Sequence, residues 1–173
     1  KRASHTVYKL KNGTIVPSVT TVIGQNLGWD KEMLLGWTRK MMKAGKDPIA
    51  YRDSAGAFGS LVHKYVETGD VNVTTDTTEL LSEAQRADAL RTYNRYHDWA
   101  SQHLLVIQKQ ELKLVSETYK FGGTLDMVAD LDGAPSLLDV KTSSHISEAH
   151  RIQVAAYKYL YHDVHGVWLQ PIL

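Results

Sequence analysis

Two carboxylates and an amine recur within one short stretch of this chain. Asp126 lies in Gly122-Gly123-Thr124-Leu125-Asp126, and Asp139 and Lys141 lie in Leu137-Leu138-Asp139-Val140-Lys141. Such groups can bind a hard divalent cation, prepare a water molecule for attack and offset charge on phosphoryl oxygens, so the set points to metal-dependent cleavage of a phosphodiester. Two carboxylates about 4 Å apart repel by roughly 4 kcal/mol at an effective dielectric of 20, which calls for a compensating proton, cation or metal. Lys141 supplies one positive charge. With the backbone carbonyl of Val140, Asp126 and Asp139 form an all-oxygen set that suits Mg²⁺ or Mn²⁺. The plain alternative is a surface hairpin with an ordinary Asp–Lys pair worth under about 1 kcal/mol.

The elements that must position these groups can be read from the pattern. Val115 to Tyr119 and Thr124 to Leu131 are apolar or alternating and rich in β-branched residues, Asp132-Gly133 is a hairpin turn pair, and Ser136 to Val140 is a second apolar run. Antiparallel pairing about that turn sets Asp126 almost opposite Asp139. The period of two then puts Asp139 and Lys141 on one face with Val140 pointing away. Around this hairpin the pattern predicts strands at about 105–119, 124–131 and 136–141, a helix bearing Gln153, and a closing strand within 166–173. Upstream it predicts a small hairpin (6–9 and 14–16), a Ser/Thr turn, helices near 30–43 and 48–67, a polar loop at 71–78 and a long helix near 79–102. The expected fold is α/β, a mixed central sheet flanked by helices, as one domain with a helical part at about 18–102 and a sheet part at about 105–173.

Two helical segments add chemistry. In Gly59 to Glu67 the apolar positions 58, 61, 62, 65 and 66 follow a helical period, and His63 and Glu67 stack one turn apart. In Arg151 to Leu160, Gln153 and Tyr157 stack at i, i+4. Each segment alone also suits a packed histidine or a hydrogen bond on a helix face.

Taken in order, His63, Gly-x-x-Asp126, Asp139-x-Lys141 and Gln153-x-x-x-Tyr157 resemble the PD-(D/E)XK nuclease superfamily, in particular its RecB-like exonuclease branch. Val16-Pro17-Ser18-Val19-Thr20-Thr21-Val22, then Leu35-Gly36-Trp37 and the Gly-x-x-x-His helix, are similar to the mitochondrial genome maintenance exonucleases and their phage and bacterial relatives, so the resemblance covers nearly the whole chain. It implies a restriction-endonuclease-like core in which His63, Asp126, Asp139 and the Val140 carbonyl bind one or two Mg²⁺ or Mn²⁺ ions. Lys141 would orient or deprotonate the attacking water, and Gln153 and Tyr157 would support the site and the nucleic-acid backbone. Ser18, Thr20 and Thr21 would donate hydrogen bonds to phosphates, a helix N-cap being the competing role. Glu67 and Glu111, the latter placed at the start of the strand before Asp126, are candidates for an additional acid in the metal shell.

The implied activity is that of a DNA exonuclease acting on single strands or strand ends in recombination, repair or genome maintenance. A structure-specific endonuclease and a catalytically silent nucleic-acid-binding scaffold stay open beside it. The partner is DNA; a recombinase or replication partner is not specified.

Composition narrows the class. The absence of cysteine excludes a cluster held by four thiolates, so no iron–sulfur cluster is expected, and it excludes zinc fingers and disulfides. With 173 residues, 43% hydrophobic and 23% charged, the chain can bury a core, and no apolar run reaches the roughly 20 residues of a membrane span, so no membrane partner is expected. An intracellular, cytoplasmic setting is expected, in a bacterium or a phage-infected host, with a mitochondrial one as the alternative. The first residue is Lys1 rather than Met, which fits trimmed ends and leaves room for a targeting peptide or an appended domain.

A net charge of +1 says little about a polyanionic partner, but Lys31, Arg39, Lys40, Lys43, Lys46, Arg52 and Lys64 gather in the N-terminal helices as a possible strand-binding wall. Trp29, Trp37, Tyr51 and Phe58 nearby offer either stacking surfaces or core packing. His162 and His165 read as loop residues without a catalytic partner.

Overall fold

In a computed structural model, which describes residues 6–27 and 30–173, the chain is mixed α/β. Trp29 and the side chain of Lys31 fall outside the described residues. The chain divides into two compact units. A sheet unit holds the chain up to Leu27, then Leu104–Val140 and His145–Leu173; a helical unit holds the chain from Asp30 to His103 and Lys141–Ser144. The chain passes from the helical unit to the sheet unit between His103 and Leu104. The Ser18 segment, however, belongs with the sheet and not with the helical part, because its helix packs on the sheet unit's own elements.

In the sheet unit, β3 (Leu105–Val115), β4 (Gly122–Leu131), β5 (Ala134–Leu138) and β6 (Gln170–Ile172) form one sheet in that order. The first two pairings are antiparallel and the last is parallel. The β4–β5 hairpin turns at Asp132 (φ 54°) and Gly133 (φ 85°), the two left-handed positions that a type I′ turn requires. Asp130 Oδ1 accepts from the Gly133 N–H at 2.8 Å, and Asp132 Oδ1 accepts from the Leu104 N–H at 2.8 Å, which ties the turn to the entry of β3.

Helix α5 (Glu148–His165) packs on this sheet and starts at a capping box: Ser147 Oγ accepts from the His150 N–H, and His150 Nδ1 accepts from the Ser147 N–H. It ends at Gly166 in the left-handed conformation. His162 and His165 therefore sit in the last helical turn and not in a loop, where imidazoles complement the carbonyl end of the helix dipole. Val154, Tyr157 and Leu160 of α5 join Leu114, Leu125, Val128, Leu137 and Leu169 in the core.

Where a Ser/Thr turn was expected, the eight-residue helix α1 (Val19–Asn26) forms. Its β-branched run is a poor helix former, but Ser18 caps it and Val19 is buried in the same core. The small hairpin β1 (Tyr8–Lys9) and β2 (Ile15–Val16) is as expected. It is joined to β4 by a Gly122 N–H to Pro17 O bond of 2.9 Å and a parallel bridge from Ser18 to Gly122.

In the helical unit, α2 (Asp30–Lys43), α3 (Pro48–Thr68) and α4 (Glu83–Ala100) match the expected helices closely. A 3-10 turn at Thr78–Leu80 precedes α4, whose start is set by the Ser82/Gln85 capping box rather than at residue 79. The apolar stripe of α3 buries Leu61, Val62 and Tyr65 against Leu81 and Ala89, with Phe58 and Tyr93 alongside. Among the described residues, no helix is long and apolar enough to cross a membrane.

Candidate metal centre

Strand β4 carries the first acid, and its double glycine has a packing reason. A Cβ on Gly122 would lie 2.4 Å from the Tyr8 ring, and a Cβ on Gly123 would lie 2.5 Å from Tyr157 Cε1. The bare backbone lets one tyrosine from the N-terminal hairpin and one from α5 close onto the strand just ahead of Asp126. The Tyr8 hydroxyl then shares a 2.7 Å hydrogen bond with Thr124 Oγ1, and Gln153 Nε2 donates to the Tyr157 hydroxyl at 3.0 Å, the i, i+4 contact read from the sequence.

The expected register holds. Met127 pairs with Leu138, so one further step along the ladder sets Asp126 against Asp139. The strand itself stops at Leu138, short of the expected end at 141. The period-two argument therefore does not extend to Lys141, because the ladder to β4 that would enforce alternation has ended. Past the strand end, the Val140 N–H donates to Asp126 Oδ2 at 2.8 Å, and the Asp139 N–H donates to Ile172 O at 3.1 Å. These two bonds pin the chain either side of Asp139, which is buried at 3% exposure, the one buried carboxylate among the described residues.

Glu111 is the residue whose place the sequence misjudged. It lies in the body of β3 rather than at its start, between Gln110, paired with Met127, and Leu112, paired with Leu125. That register places it across from Asp126. Its φ is +48°, a left-handed conformation in the middle of a strand, where a non-glycine residue costs on the order of 1–3 kcal/mol. Its carboxylate lies within 4.8 Å of that of Asp126. At that separation two negative charges repel by roughly 1 kcal/mol in a water-like dielectric and 3 kcal/mol at an effective dielectric of 20. Strain and repulsion act together at one point, and the donor chemistry fits a hard divalent cation: ionised oxygens, one from an exposed edge strand and one half-buried.

Tyr157 stands near Asp126 and Asp139, within reach of their charges. Burial is the main cause that holds its hydroxyl well above the ordinary tyrosine range; the Gln153 hydrogen bond opposes, and the charges of Asp139, Asp126 and the nearby Tyr8 add to the rise. The phenol therefore stays protonated at any physiological pH and serves as a neutral hydrogen-bonding group beside the carboxylates.

Beside Glu111 opens a groove of about 580 Å³, lined by Tyr8, Ser18, Thr20, Glu111, Lys113 and Thr124. Ser18 takes the N-cap role, its Oγ accepting from the Thr21 N–H at 3.0 Å, and it also shares hydrogen bonds with the Thr20 and Thr21 hydroxyls at 2.9 and 2.8 Å. Capping and a hydroxyl-lined groove are thus compatible uses of one segment. Lys113, Tyr8 and Thr124 were not singled out by spacing. Only the pairing of β3 with β4 and of the N-terminal hairpin with the sheet brings them here.

The sheet unit thus brings together Glu111, Asp126, Asp139, Val140, Gln153 and Tyr157. Ser18, Thr20 and Thr21 belong to the same unit, whereas His63, Glu67 and Lys141 lie in the helical unit. His63 is half-buried on α3, flanked by the buried Leu61, Val62, Tyr65 and Val66, and Lys141 is half-buried at the head of the segment Lys141–Ser144. Glu67 accepts an ion pair from Lys64 Nζ at 2.8 Å, so both have a structural use on α3. Of the basic set, Arg39, Lys40, Lys43 and Lys46 are exposed, and Arg52 pairs with Asp53 at 2.7 Å. Trp37 and Tyr51 pack ring to ring at 5.7 Å, Tyr51 remaining exposed, while Phe58 is half-buried against the helical core.

No protein-family model matches the chain, and no curated protein matches it. The class that the structure defines is a mixed α/β protein with a close, strained pair of carboxylates on its sheet.

Proposed function

We propose that this chain is a divalent-metal-dependent deoxyribonuclease of the PD-(D/E)XK superfamily, acting as an exonuclease on single strands or strand ends. The observation that supports the reading most is the approach of Glu111 to Asp126 at a left-handed backbone position, since a strand keeps such strain only where the surrounding fold enforces it. Asp126 and Glu111 would hold Mg²⁺ or Mn²⁺, with Asp139 and the Val140 carbonyl completing the oxygen set and His63 added on the strength of the resemblance. A bound divalent ion would supply Lewis-acid stabilisation of charge on the phosphoryl group and a water that is more readily ionised.

The chain's own residues do the rest. The Val140 N–H holds Asp126 Oδ2 in place, leaving that carboxylate a fixed direction. Tyr157, kept protonated by burial, and Gln153 brace the neighbourhood of Asp126 and Asp139. Lys141 is assigned to orient or deprotonate the water, and the groove with Ser18, Thr20 and Lys113 to receive the phosphates of the strand.

The test is incubation with end-labelled linear and closed circular single-stranded DNA in Mg²⁺, Mn²⁺ or EDTA, beside Asp139→Asn and Lys141→Ala. Metal-dependent loss of the linear strand alone, absent in both variants, is the expected result. Cutting of the circle would make the protein an endonuclease, and intact DNA under every metal would leave a binding scaffold. Full activity in Lys141→Ala would remove that residue from the water-orienting role.

A further inference from the structure

The flank of α5 beside β6 forms a second groove, of about 740 Å³, lined by Arg151, Val154, Lys158, Tyr159, Trp168 and Leu173. Two cations and two aromatic rings line it, and among the described residues no acidic side chain does. Arg151 and Lys158 are seven residues apart on one helix, a rise of about 10 Å.

Trp168 is 48% exposed and Tyr159 55% exposed, yet the indole is held in place. His162 stacks on it at 3.8 Å with 12° between the planes, Tyr159 meets it edge-on at 5.2 Å, and Lys158 Nζ lies 5.4 Å from its centroid. Large exposed rings fixed in one orientation beside cations suit a planar, anionic ligand, because little side-chain freedom remains to be lost on binding. Pro171 in β6 removes a backbone donor from this edge strand, which argues against a peptide adding to the sheet there.

We infer that this groove is a strand-binding subsite for single-stranded DNA: bases stack against Trp168 and Tyr159, and Arg151 and Lys158 hold the adjoining phosphates. The inference rests on the nuclease reading for its choice of ligand, and α5 links the two sites, since the helix also carries Gln153 and Tyr157. A substrate too small to reach the groove is handled without it; an oligonucleotide is not.

The experiment uses the full chain. Fluorescence anisotropy with labelled oligo(dT), in EDTA, measures affinity across a salt series for the parent, Arg151→Gln/Lys158→Gln, Trp168→Ala and Trp168→Phe. Loss of two phosphate contacts lowers the slope of log K against log salt by about 1.4. Trp168→Ala weakens binding by about 5- to 150-fold, the range spanned by base–aromatic stacking, and Trp168→Phe restores most of it. In parallel, Mn²⁺-dependent hydrolysis of bis(4-nitrophenyl) phosphate is unchanged in all three variants.

Unchanged affinity and salt slope in the variants would overturn the subsite even if the parent cleaves DNA. Tighter binding of an acidic aromatic peptide than of oligo(dT), lost in the same variants, would overturn it in favour of a protein partner. A parent that binds oligo(dT) through these residues but hydrolyses no substrate would keep the subsite and remove the nuclease reading instead.

Discussion

Replacing Gly123 with alanine tests whether the double glycine exists for close packing. The backbone at Gly123 is not left-handed, so by conformational entropy alone alanine would stabilise the strand by about 0.5–1 kcal/mol. The structure forces the opposite sign. The new methyl would stand 2.5 Å from Tyr157 Cε1, 3.0 Å from Cδ1 and 3.3 Å from Leu160 Cδ2. Ordinary carbon contacts lie at about 3.5–4.0 Å, so roughly 1 Å must be found. Neither neighbour yields readily: Tyr157 is 5% exposed, and Leu160 is fully buried. Overpacking of this kind costs about 1–3 kcal/mol, which for a chain of this size lowers the melting midpoint by roughly 2–10 °C.

Urea denaturation of Gly123→Ala, Tyr157→Ala and the double variant measures this directly. Removing the ring removes the clash, so the glycine substitution should cost far less in the Tyr157→Ala background, with a coupling of about 1–3 kcal/mol. An equal cost in both backgrounds, or a single variant as stable as the parent, would refute the packing argument. Moving the phenol also disturbs the neighbourhood of Asp126 and Asp139, so the proposed metal-dependent activity should fall with stability.

Glu111→Gly should raise stability by about 1–3 kcal/mol in EDTA by releasing the left-handed strain and the repulsion from Asp126, yet lose most of the added stability that Mn²⁺ would give the parent at the proposed site; thermal melts with and without the ion check both signs, and a less stable variant in EDTA would contradict the strain. Ser147→Ala removes one half of the capping box of α5 and should cost about 0.5–2 kcal/mol in urea, with Ser147→Asp recovering most of it. Hydrogen bonds from Ser116 and then Thr118 hold the Asp163 carboxyl below the ordinary value of 3.8. Its contribution is therefore complete above that value and lost as the pH falls below it, and Ser116→Ala should flatten the acid limb of melts taken between about pH 2 and 5.

Much of the sheet was legible because its signals are local. Asp132-Gly133 is a turn pair by virtue of its two left-handed positions, and that turn with the period of two set Asp126 and Asp139 at matching places on the ladder. The helical stripes at 58–66 and at 153–157 were legible for the same reason, since a period of 3.6 is written in consecutive residues. Other features were hidden. Helix α1 opposes its own propensities and forms because Val19 packs into a core built from β3, β4, β5 and α5. Strand β3 stops at Val115 because the Ser116 hydroxyl accepts from the Tyr119 N–H at 2.7 Å and donates to Asp163, forty-seven residues away. No sequence window contains that contact.

The candidate site divides along the same line. Residue types and order determined which side chains carry oxygen donors and that Gln153 and Tyr157 share a helix face, because those facts depend on chemistry and on neighbours one turn away. The tertiary structure alone decided that Glu111 takes a left-handed backbone conformation within β3 with its carboxylate close to that of Asp126, and that Gly122 and Gly123 are bare because Tyr8 and Tyr157 close onto them. Such approaches join segments far apart in the chain, and their energies arise from contact and charge in space, which no spacing along the sequence encodes.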